Sequence, residues 1–426
     1  MPISREEALR LLNAPERLDN LKMLIETEEK PAQGNDVNNH IHTTFSFSPY
    51  SPTAAVWFAR EAGLCTCGLM DHDSIGGAHE FLKAAEIAGM AVTVGMECRV
   101  SFKSTPFGDR KINNPDQEGV AYMALHGVPH HRIDELNEYY APYREKRNVR
   151  NKKMVHAING LMKQYGVELD FERDVLPLSN AHLGGSVTER HLSSALAYKL
   201  LEKIGSGEKM VDFIKNTLRM PLSAKIEGYL LDETNPHAMY DLLGWIKAQL
   251  ISKFYIPATD ECPDVREILA LSDYIGAISA YAYLGDVGDS VTGDKRAQKF
   301  EDDYLEELIP YLKKIGYRAM TYMPSRNTLA QLRRMRALAS AYDLVQISGE
   351  DINSPRQSFV CEAQRRPEFA NLLQGTWALI AHEWMSSDDQ SQGFFSEQTM
   401  RKWPTLGERR IAYAEFGREI GSKFIK

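Results

Sequence analysis

Side chains with metal chemistry occur in three short clusters in the first hundred residues of the chain. His40 and His42 are separated by one residue, and residues i and i+2 of a β-strand point to the same face. Asp71 and His72 end a second apolar run, and Glu97 ends a third. Imidazole and carboxylate groups suit zinc, iron or manganese. Three such clusters, each at the end of an apolar run, predict one site that holds more than one metal ion.

The segments around these clusters alternate in pattern. We predict strands at 37–42, 64–70 and 91–95, with helices at 52–62 and 78–88 between them. Strand–helix alternation with short loops gives parallel strands and right-handed crossovers. The metal-binding candidates then fall at the carboxyl ends of the strands. This is the face where β/α barrels and open α/β sheets place their active sites.

The rest of the chain divides into a helical middle part and a second β–α part. Further strands are predicted at 120–125, 254–258, 274–283, 317–322 and 344–348. Later helices are predicted at 263–271, 297–313 and 327–341. The middle part, about 132–250, shows no clear strand, and its charge run consists of Arg144, Lys146, Arg147, Arg150, Lys152 and Lys153. This run is either a solvated helix face or part of a lid that contacts the substrate.

Composition excludes several classes of function. The chain has 426 residues, a formal net charge of −8 and 43% hydrophobic residues, which is typical of a soluble globular protein and argues against broad binding of nucleic acid or of anionic membranes. No apolar run has membrane-spanning length, and no basic-then-apolar segment resembles a secretion signal. Five cysteines, few and odd in number, predict free thiols in a reducing cytoplasm. A P-loop and a Gly-x-Ser-x-Gly elbow are both absent from the sequence, which argues against ATP use and covalent catalysis.

The three clusters together resemble the opening motifs of the PHP family, named for the polymerase and histidinol phosphatase domains. They read His-Ile-His-Thr at 40–43, Asp-His-Asp-Ser-Ile-Gly-Gly at 71–77 and Gly-Met-Glu at 95–97. Two later segments resemble the family less closely. Ser-Gly-Glu-Asp-Ile-Asn-Ser-Pro at 348–355 is similar to its closing motif, and Glu-Arg-His-Leu at 189–192 is similar to the histidine that follows the inserted helices of small PHP phosphoesterases.

The resemblance implies a fold and a division of the chain. The family fold is a distorted (β/α)7 TIM-like barrel, which here would carry a helical insertion and a helical C-terminal extension. We therefore expect a helical leader at 1–35, a barrel formed by 36–131 and 251–359, a helical cap at 132–250 and an extension at 360–426. The extension would pack on the barrel or on a second subunit, so the chain could form a homo-oligomer.

The resemblance also implies a set of ligands for one or two divalent ions of zinc, iron or manganese. One ion would be held by His40, His42, Glu97 and Asp351. Glu97 would bridge to a second ion bound by His191, and His72 would belong to a third position. Arg190 and Arg356 lie beside candidate ligands and are either phosphate clamps or ordinary surface arginines.

Four positions depart from the family pattern. Tyr122 and Tyr281 stand where two strand histidines are usual, although His126 lies four residues after Tyr122 on the same strand face. Asn353 replaces the histidine of the closing motif, and Phe47 replaces an aspartate or histidine of the third position. The two tyrosines and Asn353 then become candidates for substrate binding. We therefore expect the ligand set of the first metal position to be complete, that of the second to lack some ligands, and the third position to be lost.

These observations predict a metal-dependent phosphoesterase. A metal-activated water would attack phosphorus in a small phosphorylated metabolite, and Asp71 or His72 would orient that water or protonate the leaving oxygen. Two alternatives stay open. One is a metal-dependent hydrolase of another bond, such as an amide or lactone, and the other is a non-catalytic protein with a partly decayed site.

Overall fold

A computed structural model describes residues 3–29, 31–114, 116–286 and 299–424. Its strands are β1 (Val37–Ile41), β2 (Thr66–His72), β3 (Val92–Ser101), β4 (Val120–His126), β5 (Ile278–Tyr283), β6 (Ala319–Tyr322) and β7 (Val345–Ser348). Its helices up to β5 are α1 (Arg5–Leu12), α2 (Arg17–Thr27), α3 (Pro52–Glu61), α4 (Ala78–Ala88), α5 (Ile133–Met162), α6 (Glu189–Ile204), α7 (Glu208–Asp212), α8 (Ala224–Leu231), α9 (Ala238–Gln249), α10 (Ile251–Phe254) and α11 (Val265–Ile275). Those after β5 are α12 (Leu305–Ile315), α13 (Leu329–Ala341), α14 (Ala370–Asp388), α15 (Glu397–Lys402) and α16 (Leu406–Phe424).

The strands form a nearly closed barrel. Within the described residues one sheet runs in the order β1 to β7, and its two edges approach each other. The Asn39 side-chain amide donates to the Ser348 carbonyl at 2.9 Å, and Ile41 forms a parallel bridge with Ile352 beyond β7. The fold is therefore the expected distorted (β/α)7 TIM-like barrel, with helices inserted after β4 and added after β7.

Strand β4 departs from the parallel pairing that the β–α alternation predicts. It pairs antiparallel with both β3 and β5. The reason lies in its connections, because no helix stands between β3 and β4 among the described residues of 102–119. Without a crossover helix the chain turns back on itself, which produces an antiparallel pair.

The predicted strand at 254–258 is wrong. Helix α10 ends at Phe254, and the following backbone is bound by a side chain instead of a neighbouring strand. Gln117 accepts from the Ala258 amide at 2.8 Å and donates to the Ala258 carbonyl at 2.7 Å. Pro257 also lacks the amide hydrogen that a strand ladder needs. The predicted strand at 274–283 is shortened, since α11 continues to Ile275.

Helices α5 to α10 lie between β4 and β5 and have an apolar core of their own, which includes Met154, Leu196 and Trp245. The part of the chain predicted to be a cap is thus helical, while its exact boundaries remain a prediction. No helix in the described part of the chain is both long enough and apolar enough to cross a membrane. The predicted helix at 297–313 begins outside the described residues, and α12 covers its later part.

Helix α14 of the C-terminal extension covers the amino-terminal end of the barrel. Leu379 packs with Ile278 and Val345, the first residues of β5 and β7. Glu383 is buried, and its carboxylate accepts from the Val94 amide of β3 at 2.8 Å. The extension therefore packs on the barrel of its own chain and leaves the opposite, carboxyl end of the strands for the candidate site.

A buried acid beside β5 gives a pH-dependent stability. Burial raises the pKa of Glu301 to about 8, although the Tyr281 hydroxyl and the amides of Leu284 and Gly285 bind its carboxylate. The folded pKa lies above the unfolded value near 4.5, so the unfolded chain releases a proton first as the pH rises through this window. The free energy of unfolding should therefore fall between pH 4.5 and 8, by at most about 1.4 kcal/mol per pH unit.

Replacing Glu301 with Gln should flatten that dependence, because an amide mimics the protonated acid. Urea unfolding at pH 5, 6.5 and 8 measures the free energy of unfolding of each protein. Glu307→Gln is the control, because Glu307 is exposed and paired with Arg110. Parallel pH profiles for the wild type and Glu301→Gln would contradict the assignment.

Candidate metal centre

The candidate ligands meet at the carboxyl ends of β1 and β2 and beside the middle of β3. His72 pairs in register with Glu97 across β2 and β3, so both side chains point to the same face. The register of β1 shifts between Asn38 and Ile41, around His40. Gly349, just beyond β7, passes so close that a Cβ there would lie 2.4 Å from the His40 Cβ. Glycine at this position lets the closing loop approach the first ligand.

Three side chains bring donor atoms close enough to share one ion. The ligand atoms of His40, His42 and Glu97 lie within 4.8 Å of one another, and all three residues are buried. The His40 Nε2 atom is 3.6 Å from Glu97 Oε2, and His72 Nδ1 is 3.0 Å from the same oxygen. The buried Nε2 atoms of His40 and His42 make no hydrogen bond to another described residue. Two imidazoles and one carboxylate that converge in this way fit a divalent transition metal.

The hydrogen bonds behind His42 fix its tautomer. Ser46 Oγ donates to Asp71 Oδ1 at 2.7 Å, so its own lone pair accepts from His42 Nδ1 at 3.1 Å. The ring proton is therefore on Nδ1, and Nε2 keeps a lone pair for a metal. Outer groups of this kind orient ligating histidines in metal sites.

This arrangement corrects the role predicted for Asp71. Its carboxylate accepts from the Thr43 amide at 2.7 Å, the Thr43 hydroxyl at 2.6 Å and Ser46, and the residue is fully buried. Three donors surround this carboxylate and the residue has no exposed surface, so it is placed to orient His42 through Ser46 rather than to contact a solvent water. Asp71 is a residue that orients His42.

Replacing Asp71 with Asn should weaken metal binding roughly 10- to 100-fold, the usual effect of losing an outer partner of a ligating histidine. The amide removes the negative charge that orients Ser46 and, through it, His42. Competition with a chelator of known affinity measures the change. Ser46→Ala, which cuts the same relay one step later, should weaken binding in the same direction. Equal metal affinity in all three proteins would contradict the relay.

Electrostatics favour the ligand forms of Glu97 and His42. Burial would raise the pKa of Glu97, but His40 and His72 together lower it below its ordinary range. Burial lowers the pKa of His42, which keeps its imidazole neutral. Burial also opposes the charged form of His40, but Glu97 and Asp351 raise its pKa overall. The ligand forms of Glu97 and His42 are thus favoured, whereas the neighbouring carboxylates draw His40 toward its protonated form.

Asp351 reaches the site from the loop after β7. Its Oδ1 atom is 3.1 Å from His42 Nε2 and accepts from Asn353 Nδ2 at 2.6 Å. Asp351 therefore lies beside the first ligand set as expected, and Asn353 binds Asp351, which places its amide next to the predicted ligand.

The other predicted site residues divide into two groups. The ring of Tyr122 lies 6.0 Å from that of His72, and the charge of Arg190 acts on Asp351, so both are close to the centre. Tyr281 lies away from the centre, because strand alternation turns Ala280 and Ala282 toward the inside of the barrel and Tyr281 toward its outer side. There Tyr281 is part of the hydrophobic core, and its hydroxyl binds Glu301. A shift of one residue along a strand changes the face.

Arg356 also lies away from substrate. Its guanidinium makes a two-point ion pair with Asp241, both contacts at 2.8 Å, and covers the Tyr229 ring at 4.0 Å. Arg356, predicted to be either a phosphate clamp or a surface arginine, thus ties the closing loop to α8 and α9.

Sequence reasoning missed a buried arginine network beside the centre. Arg144, Arg147 and Arg150 are spaced three residues apart on α5, and all three are buried. Arg147 binds the Asp73 carboxylate and, at 2.8 Å, Glu189 on α6. The spacing i, i+3, i+6 within the charge run was the available signal, because such residues share one helix face.

The network holds the turn that follows His72. Asp73 has a φ of +50°, in the left-handed region that is strained for a residue with a side chain. Its amide donates to the Glu97 carbonyl at 2.7 Å, and its carbonyl accepts from Arg144 at 3.1 Å. Helix α5 therefore stabilises the strained turn that aims His72 at Glu97.

Comparison with known proteins agrees with this geometry. A sequence model of the PHP domain matches residues 38–320. A crystal structure from Bifidobacterium adolescentis, provisionally assigned as a metal-dependent phosphoesterase, superposes with a TM-score of 0.51 at 20% identity, over 78% of this chain and 94% of that one. An amidohydrolase from Chromobacterium violaceum, with bound sulfate and no metal, gives a TM-score of 0.49 at 16% identity, over 77% and 90%. None of the curated proteins compared with the chain matches it.

Proposed function

The chain belongs to the PHP domain family, and on that premise we propose that it is a metal-dependent phosphoesterase acting on a small phosphorylated metabolite. Family membership and the His40, His42 and Glu97 cluster support the broader class, a metal-dependent hydrolase. The observation that carries the proposal is the Asp71–Ser46–His42 relay, which presents a metal-binding lone pair beside a buried carboxylate.

The residues of the chain would divide the work as follows. His40, His42, Glu97 and Asp351 would hold the ion, and His72 donates to Glu97 and fixes its orientation. A divalent ion, when bound, supplies Lewis-acid activation of water and neutralises charge on a phosphoryl group. Arg190, whose charge acts on Asp351, would contact a second anionic group of the substrate. Hydrolysis would break the phosphorus–oxygen ester bond and pass one proton from water to the leaving oxygen.

Metal content per chain tests the centre first. The wild type should contain at least one equivalent of zinc, iron or manganese, and a His40→Ala/His42→Ala variant should contain almost none. His79→Ala/His131→Ala is the matched control, since both of these histidines are exposed. A panel of phosphate monoesters and diesters, read by released phosphate, then tests the reaction.

A hydrolase of an amide or lactone is the second candidate, and Tyr122 favours it. A tyrosine beside His72 replaces the histidine that the family pattern predicts, and burial raises its pKa so that the phenol stays neutral. A neutral phenol can donate to a carbonyl oxygen. Metal-loaded protein that hydrolyses lactones or amides but no phosphate ester would support this candidate. Metal without any hydrolysis would support the third, a non-catalytic protein.

We also propose a small phosphorylated substrate, with no nucleic-acid or membrane partner, and a cytoplasmic location. The net charge of −8 and five free cysteines support these assignments. A homo-oligomer remains compatible with them, and light scattering would establish the mass in solution.

A further inference from the structure

His191 is the predicted second-ion ligand whose hydrogen bonds differ most from those of His42. It lies in the first turn of α6, and its Nδ1 atom accepts from the Thr188 backbone amide at 2.9 Å. A backbone amide is always the donor, so Nδ1 carries the lone pair in this contact. The ring proton of the neutral imidazole is therefore on Nε2.

The Nε2 atom of His191 is buried and has no partner among the described residues. An imidazole with its proton on Nε2 donates a hydrogen bond there and offers no lone pair to a metal. His42 has the opposite arrangement, with the proton on Nδ1 and the lone pair on Nε2. The two histidines thus present opposite chemistry from atoms of the same name.

The surroundings of His191 place its ring beside the centre. Phe47 lies edge-on against the imidazole, with ring centroids 5.1 Å apart, and Tyr240 packs against Phe47 on its other side. The two aromatic rings form an apolar wall, which strengthens a hydrogen bond made beside it. The Thr188 hydroxyl donates to the Ser46 carbonyl at 3.5 Å, and Glu189 shares Arg147 with Asp73, so this turn of α6 lies beside the predicted ligands.

We propose that His191 is a substrate-binding residue, whose Nε2–H donates a hydrogen bond to an oxygen of the bound phosphoryl group, and that it is not a metal ligand. The role rests on the proposed function, since it assigns a phosphoryl oxygen as the acceptor. It also explains why Phe47 stands where the family has a metal ligand, because an apolar ring beside His191 is compatible with a hydrogen-bond donor but contributes nothing to a metal site.

The test compares substitutions by Gln at His191 and at His42. In His191→Gln, the side-chain oxygen can accept from Thr188 as in an ordinary capping box, and the amide can still donate. This variant should keep the metal content of the wild type. His42→Gln should lose metal, because an amide is a poor substitute for the imidazole lone pair.

The second readout is the affinity of the metal-loaded protein for inorganic phosphate, measured by isothermal titration calorimetry. His191→Ala should keep its metal and bind phosphate roughly 10- to 100-fold more weakly, the scale of one lost hydrogen bond to a charged group. His191→Gln should lose less, since it retains a donor. Thermal unfolding of both variants checks that α6 remains folded, and His191→Gln preserves the cap if His191→Ala does not fold.

Three outcomes would overturn the role. Loss of metal in His191→Gln would show that His191 is a ligand, and unchanged phosphate affinity in both variants would leave it only a helix cap. The wild type shows whether the proposed function itself fails, because metal-loaded wild type that binds no phosphate would contradict both the proposed function and the role of His191. A wild type that binds phosphate isolates the role of His191.

Discussion

Replacing Glu97 with Gln should reduce hydrolysis by roughly a hundred- to a thousand-fold, the scale on which loss of one charge-stabilising group acts in an active site. The carboxylate accepts from His72 at 3.0 Å and faces His40 at 3.6 Å, so its negative charge serves both imidazoles and the ion. Gln has nearly the same volume but no charge, and its amide hydrogens would face His72. The metal content should fall together with the activity.

Initial rates and metal equivalents, measured on the same preparations, test this expectation. Glu118→Gln is a matched control, since Glu118 is exposed and lies outside the centre. Wild-type turnover by Glu97→Gln would refute the site. Loss of metal without loss of fold, seen as an unchanged far-ultraviolet circular dichroism spectrum, would place the effect at the ligand.

Replacing Arg147 with Met should lower the free energy of unfolding by about 3–5 kcal/mol, the usual cost of removing one partner of a buried ion pair. Arg147 is buried and binds both Asp73 and Glu189. Burial would raise the pKa of Glu189, but Arg147, Arg150 and Arg99 hold it well below its ordinary value. Met keeps the aliphatic volume of the arginine stem and removes the charge, so the loss reports the ion pairs.

Urea unfolding at neutral pH measures the effect. Arg401→Met supplies the matched control, because the pair of Arg401 with Glu397 is more than four-fifths exposed on both sides and should contribute almost nothing. Equal unfolding midpoints for the two variants would contradict the network. Since Asp73 follows His72 directly, Arg147→Met should also weaken metal binding, whereas Arg401→Met should not.

The sequence by itself determined the residues whose function depends on local spacing. His40 and His42 share a face because strand side chains alternate, and His72 ends β2 where an apolar run stops. The same periodicity predicts most of the strands and helices of the barrel, but it ends the third strand at 95, whereas β3 continues past Glu97 to Ser101. Family motifs added Asp351, which the structure places beside His42.

Only the tertiary structure decided which partner each polar atom has. Asp71 and His191 belong to the same motifs as the ligands, yet one is turned toward Ser46 and the other accepts from Thr188. Spacing cannot reveal this, because a tautomer depends on a hydrogen-bond partner that is brought in by folding.

Long-range contacts decided the rest for a similar reason. The pattern of α5 is compatible with a solvated charged face, and only the barrel and α6 supply the acids that bury Arg144, Arg147 and Arg150. Strand β4 reads like the others, but the missing crossover helix reverses its direction. A linear pattern records which faces are apolar or charged, whereas the identity of the surface that each face meets is fixed by the packing of the whole chain.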